Sequence, residues 1–121
     1  MINLKTKAIR KLAVAGYAWA QFELGRLSGV EGDIEQKFYW YRQSARQGYP
    51  EALERLALEY YYGKRIKQDF EKALMLVIIA GLRRGKRDNY LYGELCERLL
   101  SEDAVKEAER KAAQWQVGVP L

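Results

Sequence analysis

The chain of 121 residues has no histidine, one cysteine and two prolines, and each scarcity excludes a class of protein. Without histidine, the commonest general base and the commonest zinc ligand are missing. Cys96 cannot form an internal disulfide, and its place in an apolar segment (residues 95–100) indicates a buried, inert thiol. Because proline is confined to Pro50 and Pro120 while alanine, leucine, glutamate, lysine and arginine are plentiful, the composition favours helix.

The sequence also lacks a long apolar run. The longest, residues 73–82, is about half of the roughly 20 residues that a membrane span needs. Near the N-terminus, basic residues within 5–11 precede a short apolar stretch, and residues 18–20 resemble a signal-peptidase site. Gly16 interrupts that stretch, and the repeat described below gives it a structural role. We therefore expect a cytoplasmic protein, with a periplasmic or secreted location as the alternative if this segment acts as a signal.

The charge balance is basic and leaves several classes of partner open. Lysine and arginine number 21 against 16 aspartate and glutamate, which gives a formal net charge of +5. Such a balance permits acidic partners, nucleic acid or a membrane surface, and it selects none of them. With 49% hydrophobic residues, a chain of this length can form one packed domain.

An internal repeat is the strongest feature that the sequence does contain. A shift of 36 residues places Asp33 on Asp69 and Trp40 on Leu76. A shift of 32 residues superposes residues 16–24 on residues 48–56, so the first unit has a loop four residues shorter. Two stretches that agree on one period predict stacked helical units, because a single helical hairpin cannot bury both of its faces.

Start and stop signals divide these units into helices. Asp33, Pro50 and Ser101 are typical of helix starts, whereas Gly48 and Gly85 are typical of helix ends. We expect helices over about residues 4–15, 18–27, 33–47, 50–62, 69–84 and 89–100, with a last one from residue 101. The single domain then comprises an N-terminal capping helix (1–16), repeat one (17–48), repeat two (49–85) and a degraded C-terminal capping repeat (86–116).

The residues at matching positions of the two units form a recognisable pattern. In the first unit they are Gly16, Ala20, Gln21, Leu24, Gly25, Asp33, Trp40, Ala45 and Gly48. In the second unit they are Gly48, Ala52, Leu56, Tyr60, Gly63, Ile66, Asp69, Ala73, Ala80 and Gly85. This pattern resembles the Sel1-like repeat family, a relative of the tetratricopeptide repeats. It departs from that family where Leu53 stands in the place of Gln21 and Leu76 in the place of tryptophan.

The resemblance implies a fold and a general function. The fold is all-α, a short right-handed superhelical solenoid of helix–turn–helix repeats, with Leu24, Trp40, Leu56 and Leu76 buried. The function is that of an adaptor or scaffold that binds another protein or peptide segment. Within that class a dedicated inhibitor or immunity-type protein, of bacterial source, is one possibility.

The first helix of each unit lines the concave face in the related folds, so its positions outside the repeat pattern are the candidate partner-binding residues. These are Trp19, Phe22, Glu23, Arg26, Glu51, Glu54, Arg55, Leu58, Tyr62, Tyr90 and Glu94, with Glu97 beside them. Aromatic anchors with a polar rim are typical of protein interfaces. The alternative is that Trp19 and Phe22 pack between layers and that the charges only solvate the helices.

Two further clusters compete with this interpretation. In the run Tyr60–Tyr62, the first tyrosine matches a repeat position, so we expect at least one of the other two to be partly exposed. The basic segments Arg83–Arg87 and Lys64–Lys67 suggest an accessory nucleic-acid-binding factor as the alternative function. Nucleic acid is the weaker prediction, because the aromatic residues that would stack bases lie on the helices that carry carboxylates.

Nothing in the sequence indicates catalysis. There is no pairing of a nucleophile with a base, no metal-ligand spacing and no glycine-rich phosphate loop. We therefore expect no enzymatic activity, no catalytic residue, no metal and no cofactor.

Overall fold

Seven α-helices follow one another along the chain in a computed structural model, which describes residues 4–85, 90–99 and 101–121. They are α1 (Leu4–Val14), α2 (Ala18–Val30), α3 (Ile34–Arg46), α4 (Pro50–Tyr62), α5 (Phe70–Arg84), α6 (Tyr90–Leu99) and α7 (Glu102–Gln114). No strand occurs within those ranges, so the prediction of an all-α helical repeat fold is confirmed. The main difference is α2, which continues to Val30, beyond the expected end near residue 27.

Side-chain caps begin three of the helices where the sequence predicts them. The Asp33 carboxylate accepts a hydrogen bond from the Gln36 amide at 3.2 Å, and Asp69 accepts one from the Lys72 amide at 2.9 Å. The Ser101 hydroxyl accepts a hydrogen bond from the Ala104 amide at 3.3 Å. Each cap satisfies an amide that has no partner within its helix.

The helices pack as the two repeat units require. Contacts are most extensive between α2 and α3 and between α4 and α5, while α3 packs on α4 and joins the two pairs. At one end α1 packs on α2, where Ile9 and Ala13 lie in a buried cluster with Leu24 and Trp40. At the other end α6 and α7 each pack mainly on α5 and touch one another little. The last two helices therefore cover the second repeat but do not form a close hairpin of their own.

Helix α2 is joined to α1 and to the residue after α3 through a buried glutamine. Gln21 donates from Nε2 to the Ala13 carbonyl at 3.2 Å and accepts from Gln47 Nε2 at 2.8 Å. In the second repeat Leu53 occupies this position and is fully buried. The substitution is compatible with the fold because an apolar side chain there needs no hydrogen-bond partner.

Burial follows the repeat alignment, with one exception. Leu24, Leu56, Trp40 and Leu76 are buried, as expected. The prediction that Cys96 is buried is wrong, since its side chain is only half-buried. On α6 the residue that enters the core is the neighbouring Leu95; the thiol faces a surface cavity beside α7, and the few contacts between these helices leave it partly open.

Candidate functional site

Of the expected binding residues on α2, one aromatic side chain packs inside the fold and the other is exposed. The Phe22 ring is half-buried and stacks on Tyr41, with 5.3 Å between ring centroids, and it meets Tyr49 at 5.5 Å. Phe22 thus packs between the helices of neighbouring units. Trp19 is 47% exposed and offers its ring to solvent. Of the two aromatic residues on this helix, Trp19 is therefore the one available to a partner.

The charged residues of α2 satisfy each other. Arg26 donates from Nε to Glu23 Oε1 at 2.7 Å, and its terminal nitrogen also contacts the same oxygen. The hydrogen bond and the charge of Glu23 raise the pKa of Arg26 above its ordinary value. A pair at this i,i+3 spacing on an exposed helix surface contributes little to stability.

At the start of α4, two of the expected carboxylates meet an arginine from α5. Arg84 donates from Nε to Glu54 Oε1 at 2.6 Å and from Nη2 to Glu51 Oε1 at 3.1 Å. The hydrogen bond to Glu54 is the main cause that raises the pKa of Arg84 above its ordinary value. Part of the basic cluster is therefore engaged by the acidic face that sequence reasoning treats as a separate site.

A groove between α4 and α6 brings five of the expected residues together. Its volume is about 390 Å³, near the lower end of the range of about 300–1,000 Å³ for ligand pockets. We call it the α4–α6 groove; its lining residues are Glu54, Leu58, Tyr61, Tyr62, Tyr90, Leu91 and Glu94. Apolar and aromatic side chains with a carboxylate from each helix give it the composition of a contact centre for another protein.

Within the α4–α6 groove, Glu94 is held by two tyrosines. The Tyr61 hydroxyl donates to Glu94 Oε2 at 3.1 Å, and the Tyr90 hydroxyl donates to Glu94 Oε1 at 3.3 Å. The charge of Glu94, followed by this hydrogen bond, raises the pKa of Tyr90 above its ordinary value. The bond from Tyr61 joins α4 to α6 across the groove.

The tyrosine run behaves as its repeat position predicts. Tyr60 and Tyr61 are half-buried, whereas Tyr62 is 60% exposed. The rings of Tyr61 and Tyr62 meet edge to face, with 5.1 Å between centroids and 85° between planes. Tyr62 therefore presents its ring to solvent from a position fixed by its neighbour.

Sequence reasoning missed Tyr61 and Leu91 as groove residues. Leu91 lies beside Tyr90 on α6, so extending the expected face by one residue finds it. The role of Tyr61 depends on how closely α6 approaches α4, and no pattern within either helix reports that approach.

The remaining expected residues lie apart from the groove. Arg55 is exposed on α4 but does not line the groove, and Glu51 contacts Arg84 outside it. Trp19, Phe22, Glu23 and Arg26 belong to α2 and likewise do not line it.

The basic segments differ in how far they are free to bind a ligand. Arg83 donates from Nε to the Gly48 carbonyl at 3.4 Å, and Arg84 is paired as described above. Lys86 and Arg87, which belong to the same expected patch, lie outside the described residues. In the other loop Lys64 and its basic neighbours are exposed, and Lys64 Nζ lies 5.9 Å from the centre of the Tyr62 ring.

The described ranges also bear on metal binding and on membrane insertion. Over residues 4–85, 90–99 and 101–121, no group of three or more cysteine, aspartate or glutamate side chains is placed to hold a metal ion. Over the same part of the chain, no helix has the length and apolar character needed to cross a membrane.

Comparisons with known proteins give a family and one curated relative. The Sel1 repeat family matches residues 20–49 and 50–82, just over half of the chain. A segment of 48 residues is 48% identical to chitin synthase regulatory factor 4 of Schizosaccharomyces pombe; it covers 40% of this chain and 8% of that protein. That relative is fungal and gives no support to the expectation of a bacterial source. No solved structure matches the chain.

The family match agrees with the helical pairs. Residues 20–49 contain most of α2 and all of α3, and residues 50–82 contain α4 and most of α5. Sel1 repeats are modules of protein–protein interaction. With two adjacent matches on two adjacent helical pairs, the chain belongs to the Sel1 repeat family.

Proposed function

We propose that this chain is a non-enzymatic adaptor that binds another protein, with the α4–α6 groove as the centre of the contact. The observation that carries the proposal is the juxtaposition of exposed Tyr62 and Tyr90 with Leu58 in one open groove. Tyrosine and other aromatic side chains are enriched at interface centres, because they bury a large area with few rotatable bonds. An open groove of this size suits a few side chains of a protein segment better than an enclosed small molecule.

A second, smaller contact extends the proposed surface along α2. Trp19 is exposed on this helix, whereas Phe22 is used for packing and the Glu23–Arg26 pair is satisfied internally. Trp19 therefore serves as an additional anchor for a partner long enough to reach from the groove to the first repeat. The concave face of the repeat stack, which the family resemblance implies, is the surface that would carry both contacts.

The comparison with the fungal protein supports a regulatory partner. Its printed name makes it a regulatory factor of chitin synthase, and it shares a segment of 48 residues with this chain. For this chain we propose the coarser role, binding a protein whose activity or assembly it regulates. Inhibition of one dedicated partner is a special case, tested by adding the purified chain to that partner and measuring the partner's activity.

Affinity capture with matched variants tests the proposal. Immobilised wild type is compared with a Tyr62→Ala/Tyr90→Ala variant and with Tyr39→Ala, which removes an exposed tyrosine of α3 outside the groove. A partner is a protein retained by wild type and by Tyr39→Ala. Purified, it should bind the groove variant at least about 30-fold more weakly, since truncation of an interface anchor commonly costs about 2 kcal/mol or more.

The same titrations can contradict the proposal. Circular dichroism first establishes that all three proteins have the same helix content, which we expect because the replaced side chains are exposed. Partners that bind the groove variant and wild type with equal affinity would show that the contact centre lies elsewhere.

A further inference from the structure

The two carboxylates of the α4–α6 groove differ in how their charge is compensated. Glu54 receives Arg84 Nε at 2.6 Å, a close charge-assisted hydrogen bond. Glu94 is 3.8 Å from Arg98 Nε, and the Arg98 side chain is 58% exposed. That separation is too long for a hydrogen bond and the pair is open to solvent, so Arg98 offsets little of the charge. In the described part of the chain, Glu94 is thus the groove carboxylate with charge left for a ligand.

The partners that do hold Glu94 orient it without neutralising it. Tyr61 and Tyr90 donate to different oxygens of the carboxylate, at 3.1 and 3.3 Å. Neutral hydroxyl donors fix the plane of a carboxylate while leaving its full negative charge. The raised pKa of Tyr90, caused chiefly by Glu94, agrees with a negative field at this end of the groove.

The aromatic rings beside Glu94 favour the same kind of ligand. Tyr61 and Tyr62 are nearly perpendicular, so their ring faces point in different directions around the groove. Ring faces attract cations, and the protein already uses one of them, since Lys64 Nζ lies 5.9 Å from the Tyr62 ring centre. Leu58 and Leu91 add apolar surface along which the aliphatic part of a long side chain can lie.

We infer that the α4–α6 groove takes one lysine or arginine side chain of the partner, with its charge against Glu94 and its aliphatic stem along Tyr62 and Leu58. This inference rests on the proposed function and specifies the partner's chemistry. The net charge of +5 limits the number of basic residues in the partner segment, because a run of them would be repelled by the chain as a whole. The recognised segment therefore has a single basic residue among apolar and neutral ones.

A random 12-residue peptide library displayed on phage tests the inference with a defined probe. The library is selected on wild-type protein and depleted on the Tyr62→Ala/Tyr90→Ala variant. Enriched peptides should carry one lysine or arginine next to an apolar residue. A synthetic enriched peptide should bind Glu94→Gln about tenfold or more weakly than wild type, the scale of a hydrogen bond to a charged group.

Three further measurements make the interpretation specific. Replacing the peptide's basic residue by glutamine should weaken binding to wild type by a similar factor. The two changes together should weaken binding little more than either change alone, which is the coupling expected of residues in direct contact. Glu35→Gln, which neutralises an exposed carboxylate on α3 outside the groove lining, should leave the affinity unchanged.

The outcomes separate this inference from the proposed function. Peptides that require Tyr62 and Tyr90 but carry no basic residue, and that bind Glu94→Gln normally, overturn the inference and leave the proposed function standing. A captured partner that binds the Tyr62→Ala/Tyr90→Ala variant as well as wild type contradicts both. A library that yields no groove-dependent peptide also counts against the inference, whereas the proposed function is still decided by the capture experiment.

Discussion

Arg84 Nε lies 2.6 Å from Glu54 Oε1, so the last turn of α5 is tied to the first half of α4. The same guanidinium reaches Glu51 Oε1 at 3.1 Å. One arginine thereby couples the basic cluster after the second repeat to the acidic residues of the proposed binding face. A variant that removes Arg84 changes both regions, so it cannot test either one alone.

Arg84→Ala should lower the free energy of unfolding only modestly, by about 0.2–1 kcal/mol at low ionic strength, because all three side chains are partly solvated. The loss should shrink near 1 M salt, where the Debye length falls to about 3 Å. Urea unfolding at two salt concentrations measures it, with Lys67→Ala in the exposed 64–67 loop as the control. A loss that stays constant with salt would mean that Arg84 acts through packing of its stem.

Much of the fold follows from local signals in the sequence. The Asp33, Asp69 and Ser101 caps use side chains whose chemistry specifies a helix start, so these boundaries could be predicted. The end of α2 could not be predicted, because the helix passes through Gly29 to Val30 although glycine commonly ends a helix. The exposure of Cys96 is hidden from the sequence for a different reason: its burial depends on how closely α6 approaches α7, and an apolar run within one helix carries no such information.

Leu56→Ala should reduce the free energy of unfolding by about 2–5 kcal/mol. Leu56 is 2% exposed at the contact of the second helical pair, so truncation leaves a cavity in addition to the lost burial. Leu82→Ala is the matched control, because Leu82 is 51% exposed on α5, and it should change stability by no more than about 0.5 kcal/mol. Equal losses from the two variants in urea unfolding would refute the alignment of the repeats.

Gly63→Ala should cost more stability than Gly85→Ala, although both glycines end a helix in the left-handed conformation, with φ of 63° and 73°. That backbone alone costs a residue with a Cβ about 1–2 kcal/mol. At Gly63 an added Cβ would also lie 2.9 Å from the Gln68 Cα and 3.0 Å from its amide nitrogen, whereas at Gly85 it would meet no atom of the described residues within 4 Å. Thermal unfolding of both variants provides the comparison, and equal shifts would argue against the tight turn between α4 and α5.

Stability should fall at alkaline pH in part because of Tyr41. Burial is the largest cause that raises the pKa of Tyr41 above its ordinary value of about 10. The folded state therefore favours the neutral phenol. Its contribution to the free energy of unfolding is complete below about pH 10 and is lost as pH rises from there through the folded-state pKa. In Tyr41→Phe this loss is absent, so the stability should decline less steeply above about pH 10 than in wild type.

Urea unfolding between neutral pH and about pH 11 measures the alkaline slope. One proton difference between the folded and unfolded states corresponds to about 1.4 kcal/mol per pH unit, which is the largest change that Tyr41 alone can make. Tyr39→Phe is the control, an exposed tyrosine on the same helix. If both variants flatten the profile equally, the burial of Tyr41 is not the cause.

The candidate site was less accessible to sequence reasoning than the fold. Helical spacing placed Glu51 and Glu54 on one surface of α4 and Tyr90 and Glu94 on one surface of α6. That spacing does not predict that the charge of Glu54 is compensated by Arg84 whereas Glu94 is held by tyrosines. Such differences arise from the distances between helices, which are set by side-chain packing. The periodicity within one helix does not encode those distances.

Salt dependence of partner binding separates the proposed protein partner from the nucleic-acid alternative. A ligand held by phosphates would lose affinity log-linearly with salt, with a slope of about −0.9 per neutralised phosphate on duplex DNA, because each contact releases counterions. Removing the exposed basic side chains of the 64–67 loop (Lys64→Ala/Arg65→Ala/Lys67→Ala) should then abolish most of the binding.

For a partner held by aromatic burial and a single ion pair, we expect a shallow slope, little effect of the loop variant and a loss of about 2 kcal/mol with Trp19→Ala, whose ring is exposed on α2. Titrations of the captured partner against these two variants at about 50 and 200 mM salt measure all three quantities. A steep slope, with binding lost in the loop variant and kept in Trp19→Ala, would favour the nucleic-acid function and contradict the adaptor.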